Sequence, residues 1–379
     1  MPEPLTGGNR PRDEPAPAAA VTLFLAGDVM TGRGIDQVLP ASVDSGLYEP
    51  YVKDAIRYVQ LAEAESGEIP APVPYDYVWG DALEELDRTG PAARIINLET
   101  AVTAAGEPWP GKGIHYRMHP ANVAVLEAAV VDVCILANNH VMDWGRAGLE
   151  DALRSLRERG LGTAGAGSDL AAARRPAVVE TAAGRVLVFA WASPDAGVPR
   201  GWAAAVGASG VNLMTSPGRD GSDGVAAAVE AHRRAGDRVV VSLHWGRNWG
   251  YDVPRAQRSF AHRLVDAGAA DMVFGHSSHH PKGIEVYRGR PIVYGAGDLL
   301  NDYEGIGGRE QYRGELALMY FPTLAASGEL TGLRLVPMRI RRFRLERASP
   351  QDAAWLAETL HRHGQELGGS GLHPVRGRH

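Results

Sequence analysis

The sequence predicts an α/β protein, and three observations carry that reading. From Val21 onward, short β-branched or aliphatic runs alternate with helical patterns. The composition, 45% apolar and 22% charged, is that of an ordinary globular chain. The length, 379 residues, suits one large domain or two small ones.

The predicted strands, in order, are Val21–Ala26, Arg94–Ile96, Asp132–Leu136, Arg185–Trp191, Arg238–Leu243, Asp271–Phe274 and Pro291–Tyr294. Predicted helices lie between them. Pro120–Val130 and Pro254–Ala267 open on proline, whose missing N–H costs nothing there, and the latter stops at Gly268. Arg146–Arg159 sets Leu149, Leu153 and Leu156 on one stripe. Tyr51–Ala64 and Asp81–Arg88 lie within an insertion over residues 45–90 and flank the irregular stretch 67–77, which reads as a lid or a surface connector. Glu315–Pro322 and Glu329–Leu345 read as antiparallel strands, followed by a helix Pro350–His363 capped by Ser349. These divisions give an N-terminal arm (1–20) of disordered composition, a main domain (21–345), and a terminal helix with a loose tail (346–379).

Charge and cysteine content exclude several classes. The formal net charge is −6, against a broad nucleic-acid footprint. A single cysteine, Cys134, excludes an internal disulfide framework and a thiolate-rich zinc site. No apolar run approaches a membrane span, and the first residues lack the order of a signal peptide, so a cytoplasmic location is expected.

The functional signal lies just beyond the strands, where open α/β sheets place their ligands. Successive strands run into Asp28, into Asn97 and Glu99, into Asn138, Asn139 and His140, into His244, and into the segment from His276 to His280. Another ends at Asp298, an extra carboxylate ligand or a cap. One such residue is commonly a helix cap; five or six at one edge point to a divalent ion of the Mn, Fe, Zn or Co type. The set exceeds the needs of one tetrahedral ion, so two ions sharing a bridging ligand are expected. His276 and His279 converge only across a turn, because i and i+3 on a strand face opposite ways. His280 then supports that pair or faces solvent.

GDVM (27–30), NLE (97–99), ANNHVMDWG (137–145), HWG (244–246) and GHSSHHPKGIE (275–285) occur in this order. Together they resemble the CapA family of poly-γ-glutamate capsule synthesis proteins, which is similar to the calcineurin-like metallophosphoesterases. The resemblance covers about Val21 to Leu345. It implies a four-layer αββα sandwich with mixed sheets and a metal site on the strand-end loops. It further implies Asp28, Glu99, Asn139, His244, His276 and His279 as metal ligands and His140 as the histidine that assists the leaving group. Met30 stands where phosphoesterases carry a histidine, and a thioether is a poor ligand for Mn or Mg.

Other residues carry two readings each. Asp143 orients His140 or caps the next helix. Arg33, in TGRG, clamps a phosphate or carboxylate or is a solvated loop residue. Lys112 and Lys282, two of only three lysines, hold an anionic substrate or are solvated. Trp245 walls the pocket or fills core. His115 and His119 lie on a strand with one polar face, in the pocket or at the surface. The expected activity is a hydrolase or acyl/phosphoryl transferase using a metal-activated water on a phosphoester or γ-glutamyl/amide-type substrate, small or peptide-like and anionic. The alternative is a non-catalytic module that binds an anionic polymer or peptide.

Overall fold

The computed structural model describes residues 20–214 and 217–368. Most of the N-terminal arm, and the tail from residue 369, lie outside them.

Two sheets organise the chain. The eight-stranded sheet runs Arg344–Arg347, Leu330–Arg341, Leu316–Leu324, Val21–Val29, Ala93–Leu98, Val133–Ile135, Gly162–Ala164, and Asp298–Leu300 pairs beside Val21–Val29. Its first-sequence strands are parallel, and the C-terminal three are antiparallel. The six-stranded sheet runs Ile284–Tyr287, Arg290–Val293, Met272–His276, Arg238–His244, Gly184–Ala192, Ala177–Thr181. Its central strands are parallel and its two edges are closed by hairpins.

Period-2 alternation stacks the sheets. Val186, Val188, Ala190, Val240, Met272 and Phe274 share one core with the eight-stranded sheet. Leu187, Phe189, Val239, Val241, Leu243 and Val273 face the other way, onto helices Arg219–Glu230 and Arg255–Asp266. Leu86, Leu149 and Leu156, on helices Ala82–Thr89 and Gly145–Glu158, complete the core of the first sheet. The result is the expected helix–sheet–sheet–helix sandwich. Because both faces of the central strands are covered, those strands are apolar throughout.

The terminal helix Pro350–Glu366 starts at Ser349, whose hydroxyl accepts from the Asp352 N–H at 3.1 Å. The expected strand Glu329–Leu345 breaks at Arg342 and Phe343, with φ of 55° and 56°, and returns as Arg344–Arg347. The 67–77 stretch is no lid over the cleft described below: it puts Ile69 and Val73 into the core. The expected strand through His115 and His119 shrinks to Arg117–Met118.

Candidate metal centre

Each candidate side chain is delivered by strand register. Asp28 pairs with Asn97 on one side and with Asp298 on the other. That closeness demands glycine before it: a Cβ at Gly27 would stand 1.9 Å from the Gly297 carbonyl oxygen. Glu99 follows the neighbouring strand, tied by its N–H to the Val29 carbonyl at 3.0 Å. His244 and His276 are register partners at the ends of two parallel strands. Ser277, at φ 104°, turns the chain so that His279 comes back beside Asp298.

Two donor groups result, and they share Asp28. Asp28, His244 and His276 form the first, with ligand atoms all within 4.8 Å of one another. The two Nδ1 atoms face each other at 2.8 Å, with Asp28 Oδ1 3.5 Å from His276 and Glu99 Oε2 3.8 Å from His244. Their outer nitrogens are held, His276 by Ser242 Oγ at 2.7 Å and His244 by Asn139 Oδ1 at 3.1 Å. The Asn139 amide oxygen thus stands beside His244, at the edge of the first group. The second group is Asp28, His279 and Asp298. His279 Nδ1 lies 3.0 Å from Asp298 Oδ1, and Asn301 donates to the other Asp298 oxygen at 2.8 Å. Met30 is buried and outside both groups; Asp298 supplies an oxygen donor here.

These residues fit divalent ions. Asp28 Oδ2 is buried without a hydrogen-bond partner. Burial, with Asp298 beside it, pushes the Asp28 carboxyl up to about 7. Burial and then Asp28 raise Glu99 well above the usual carboxylate range. Packing several carboxylates against imidazoles in a dry site is costly unless a cation balances them. The carboxylate and imidazole set suits a hard-to-borderline ion.

His140 stands beside this centre. Its Nδ1 lies 2.6 Å from Asp143 Oδ2, which also accepts the Tyr116 N–H at 2.7 Å. Lys112 pairs with the other Asp143 oxygen. Burial works against the Asp143 carboxylate, but Lys112 and His140 hold it below its ordinary value. Burial, then Lys112, pushes His140 down to about 4. The imidazole is therefore neutral at pH 7.

A cleft of about 1040 Å³ opens above the His279 side. Tyr116, His279, Asn301 and Tyr303 line it, together with residues from the segments 51–66 and 304–315. Several expected residues take other places. Arg33 lines this cleft, with three of its five N–H groups given to Asp302 (2.9 and 2.5 Å) and Glu49 (2.8 Å) and its guanidinium stacked 3.6 Å over Tyr58. Lys112 is committed to Asp143 and the Ile114 carbonyl, with its Nζ 3.0 Å from His140 Nδ1. Lys282 is buried, its side chain packed along Gly295. Trp245 is core: its Nε1 donates to the Tyr294 carbonyl, and it packs on Phe260. His280 is buried rather than solvent-facing, stacked on Tyr312. His115 is buried, with Nε2 2.9 Å from the Trp109 carbonyl, and His119 caps the turn at Pro120.

The comparisons agree with the motif order. The family described as "Bacterial capsule synthesis protein PGA_cap" matches residues 22–303. A probable polyglutamine synthesis accessory protein of Mycobacterium tuberculosis is 50% identical over 92% of each chain. The PGA biosynthesis protein CapA of Bacillus subtilis is 28% identical over 73% of this chain and 62% of its own length. Among solved structures, a 5′-nucleotidase precursor from Thermus thermophilus aligns with a TM-score of 0.41 and 14% identity; the alignment covers 92% of this chain and 59% of that one. With the family matched across most of its length and half its residues shared with a relative of equal span, the chain belongs to the bacterial capsule synthesis protein family PGA_cap.

Proposed function

We propose that the chain is a divalent-metal-dependent hydrolase or transferase acting at a phosphoryl or acyl centre, with an anionic phosphoester or a γ-glutamyl/amide-type compound as substrate. The observation that supports this is the pair of donor groups sharing Asp28, whose Oδ2 has no protein partner. Asp28, Glu99, His244 and His276 would hold one cation, and Asp28, His279 and Asp298 the second. Bound there, a divalent cation supplies Lewis acidity and activates water at neutral pH.

The chain's own residues do the rest. The Asp143 carboxylate, 2.6 Å from His140 Nδ1, favours the proton on that nitrogen, against the Lys112 ammonium 3.0 Å from it. His140 Nε2 is left as an acceptor beside the centre at neutral pH, able to take or return a proton. Asn139 and Ser242 fix the ring planes of His244 and His276. The cleft above His279 exceeds one phosphate or one amino acid in size, which suits an extended substrate.

A second reading, a non-catalytic module that binds an anionic polymer, is favoured by the word "accessory" in the name of the mycobacterial relative. Among the described residues no helix is long and apolar enough to cross a membrane. The test is elemental analysis of protein purified without added metal or an affinity tag, beside His244→Ala, followed by an ester and amide screen. About two transition-metal ions per chain, reduced in the variant, with turnover of any ester or amide, sustain the hydrolase. Full metal content without turnover favours the binding module. No metal uptake from Mn, Fe or Zn sinks both metal assignments.

A further inference from the structure

We propose that Tyr303 is a substrate-contacting residue, its phenol donating a hydrogen bond to a tetrahedral oxyanion, such as a phosphoryl group, held at the second donor group. This inference rests on the function proposed above and adds a residue to it. It starts from Met30. The Tyr303 hydroxyl lies 3.5 Å from Met30 Sδ, and the Tyr303 ring stands edge-on to His279 with centroids 5.4 Å apart. The phenol therefore reaches the margin of the group formed by Asp28, His279 and Asp298.

Proton accounting singles it out. The hydroxyls of Tyr116 and Tyr303 lie 2.8 Å apart. Two hydroxyls carry two protons, and one of them is consumed between the two oxygens. Either hydroxyl can donate in that pair; where Tyr116 donates, the described residues offer the Tyr303 proton only the Met30 thioether, a weak acceptor at 3.5 Å. In that arrangement a phenol lining the cleft keeps a proton with no strong acceptor among the described residues. Unmet donors aimed where anionic charge gathers are what stabilises that charge.

The neighbouring groups are already committed. Arg33 lies 4.8 Å from the Tyr116 ring and 5.8 Å from the Tyr303 ring, and Asp302 and Glu49 take three of its five N–H donors. Lys112 is bound to Asp143. Tyr303 itself is held in register with the centre: its N–H donates to Asn301 Oδ1 at 3.0 Å, and the same Asn301 side chain holds Asp298. Tyr116 packs its ring 4.3 Å from His140, so the phenol pair bridges the two halves of the site.

The test is inorganic phosphate binding to the manganese-loaded protein by titration calorimetry, with manganese content measured in parallel. Tyr303→Phe keeps the ring and removes only the hydroxyl. It is expected to bind phosphate at least about tenfold more weakly at unchanged manganese content, the usual consequence of losing a hydrogen bond to a charged group. Tyr116→Phe, which leaves Tyr303 its proton, is expected to change phosphate affinity less than about threefold. Equal phosphate binding by Tyr303→Phe and the parent overturns the proposal. So does joint loss of manganese and phosphate, which would make Tyr303 a prop for the centre. A parent that holds manganese but binds no phosphate overturns it too and leaves the cation assignment standing. A parent that holds no manganese overturns the function on which it rests.

Discussion

Replacing Asp28 by asparagine should stabilise the metal-free protein while abolishing its response to metal. The Asp28 carboxyl is wholly buried, one oxygen has no partner, and burial beside Asp298 raises it from 3.8 to about 7. Between pH 3.8 and 7 the folded protein therefore keeps a proton that the unfolded chain releases. Stability from this group consequently falls as pH rises through that window, and the penalty is complete above it. Three units at 1.36 kcal/mol each make about 4 kcal/mol at pH 8. Asparagine keeps an acceptor for Asn97, which donates to Asp28 Oδ1 at 2.8 Å, and carries no charge. For a chain of this size the gain corresponds to a rise in Tm of about 5 °C. The assay is thermal unfolding of chelator-treated protein at pH 5 and pH 8, with and without manganese. The variant should exceed the parent at pH 8, approach it at pH 5, and fail to gain when manganese is added, whereas the parent gains by mass action. A variant less stable than the parent at pH 8, or one that gains equally from manganese, would refute the electrostatic account of the site.

Three further outcomes follow from the same geometry. Asp143→Asn removes the carboxylate that favours the proton on His140 Nδ1, and turnover of whichever ester the parent cleaves should fall about 100-fold with metal content unchanged; an unaltered kcat would remove the His140 pair from the mechanism. Arg33→Met leaves Glu49 and Asp302 buried without their cation, and chemical unfolding should show a loss of about 3–5 kcal/mol. Gly27→Ala sets a Cβ against the Gly297 carbonyl, so the strands carrying Asp28 and Asp298 must part; a loss of about 1–3 kcal/mol and a lowered manganese content are expected, by unfolding and elemental analysis.

The strand ends were legible because a parallel strand covered on both faces is an unbroken apolar run, and the first polar residue after it is conspicuous. Asp28 and His276 stand out in this way, and Glu99 and His244 follow two residues after the first polar residues, Asn97 and Ser242. What sequence alone leaves undetermined is partnership. Arg33 reads as a free clamp because its acceptors, Glu49 and Asp302, lie 16 and 269 residues away. Trp245 reads as a pocket wall because it adjoins His244, yet strand alternation turns neighbours to opposite faces, and that signal was present. Asp298 reads equally as cap or ligand until its pairing with Asp28 is known. Tyr303 sits in the irregular loop from residue 301 to 315, where no periodicity marks a buried ring. Helix Arg219–Glu230 is hard to read in the sequence because Gly221 and Gly224 weaken its pattern, and its place is set by Val225 and Val229 packing on the second core.

The site also explains why two sheets end at one edge. All three acidic donors, Asp28, Glu99 and Asp298, come from the eight-stranded sheet, and all three imidazoles, His244, His276 and His279, come from the six-stranded sheet or the turn just after it. The carboxylate side alone repels itself; on the imidazole side burial pushes His276 down to about 3 and His244 well below its ordinary value, while, against burial, Asp298 holds His279 above its own. Each donor group draws members from both sheets, so a cation bound there ties one sheet to the other across their seam. Removing it should loosen the ends of both sheets together and leave distant strands alone. Hydrogen exchange read by mass spectrometry checks this: chelation should raise exchange in segments holding residues 27–30, 97–100, 243–246 and 275–280 in parallel. The far half of the hairpin between Leu316–Leu324 and Leu330–Arg341 should keep its protection. Exchange rising in one sheet only would show that the cation belongs to that sheet and does not bridge the two.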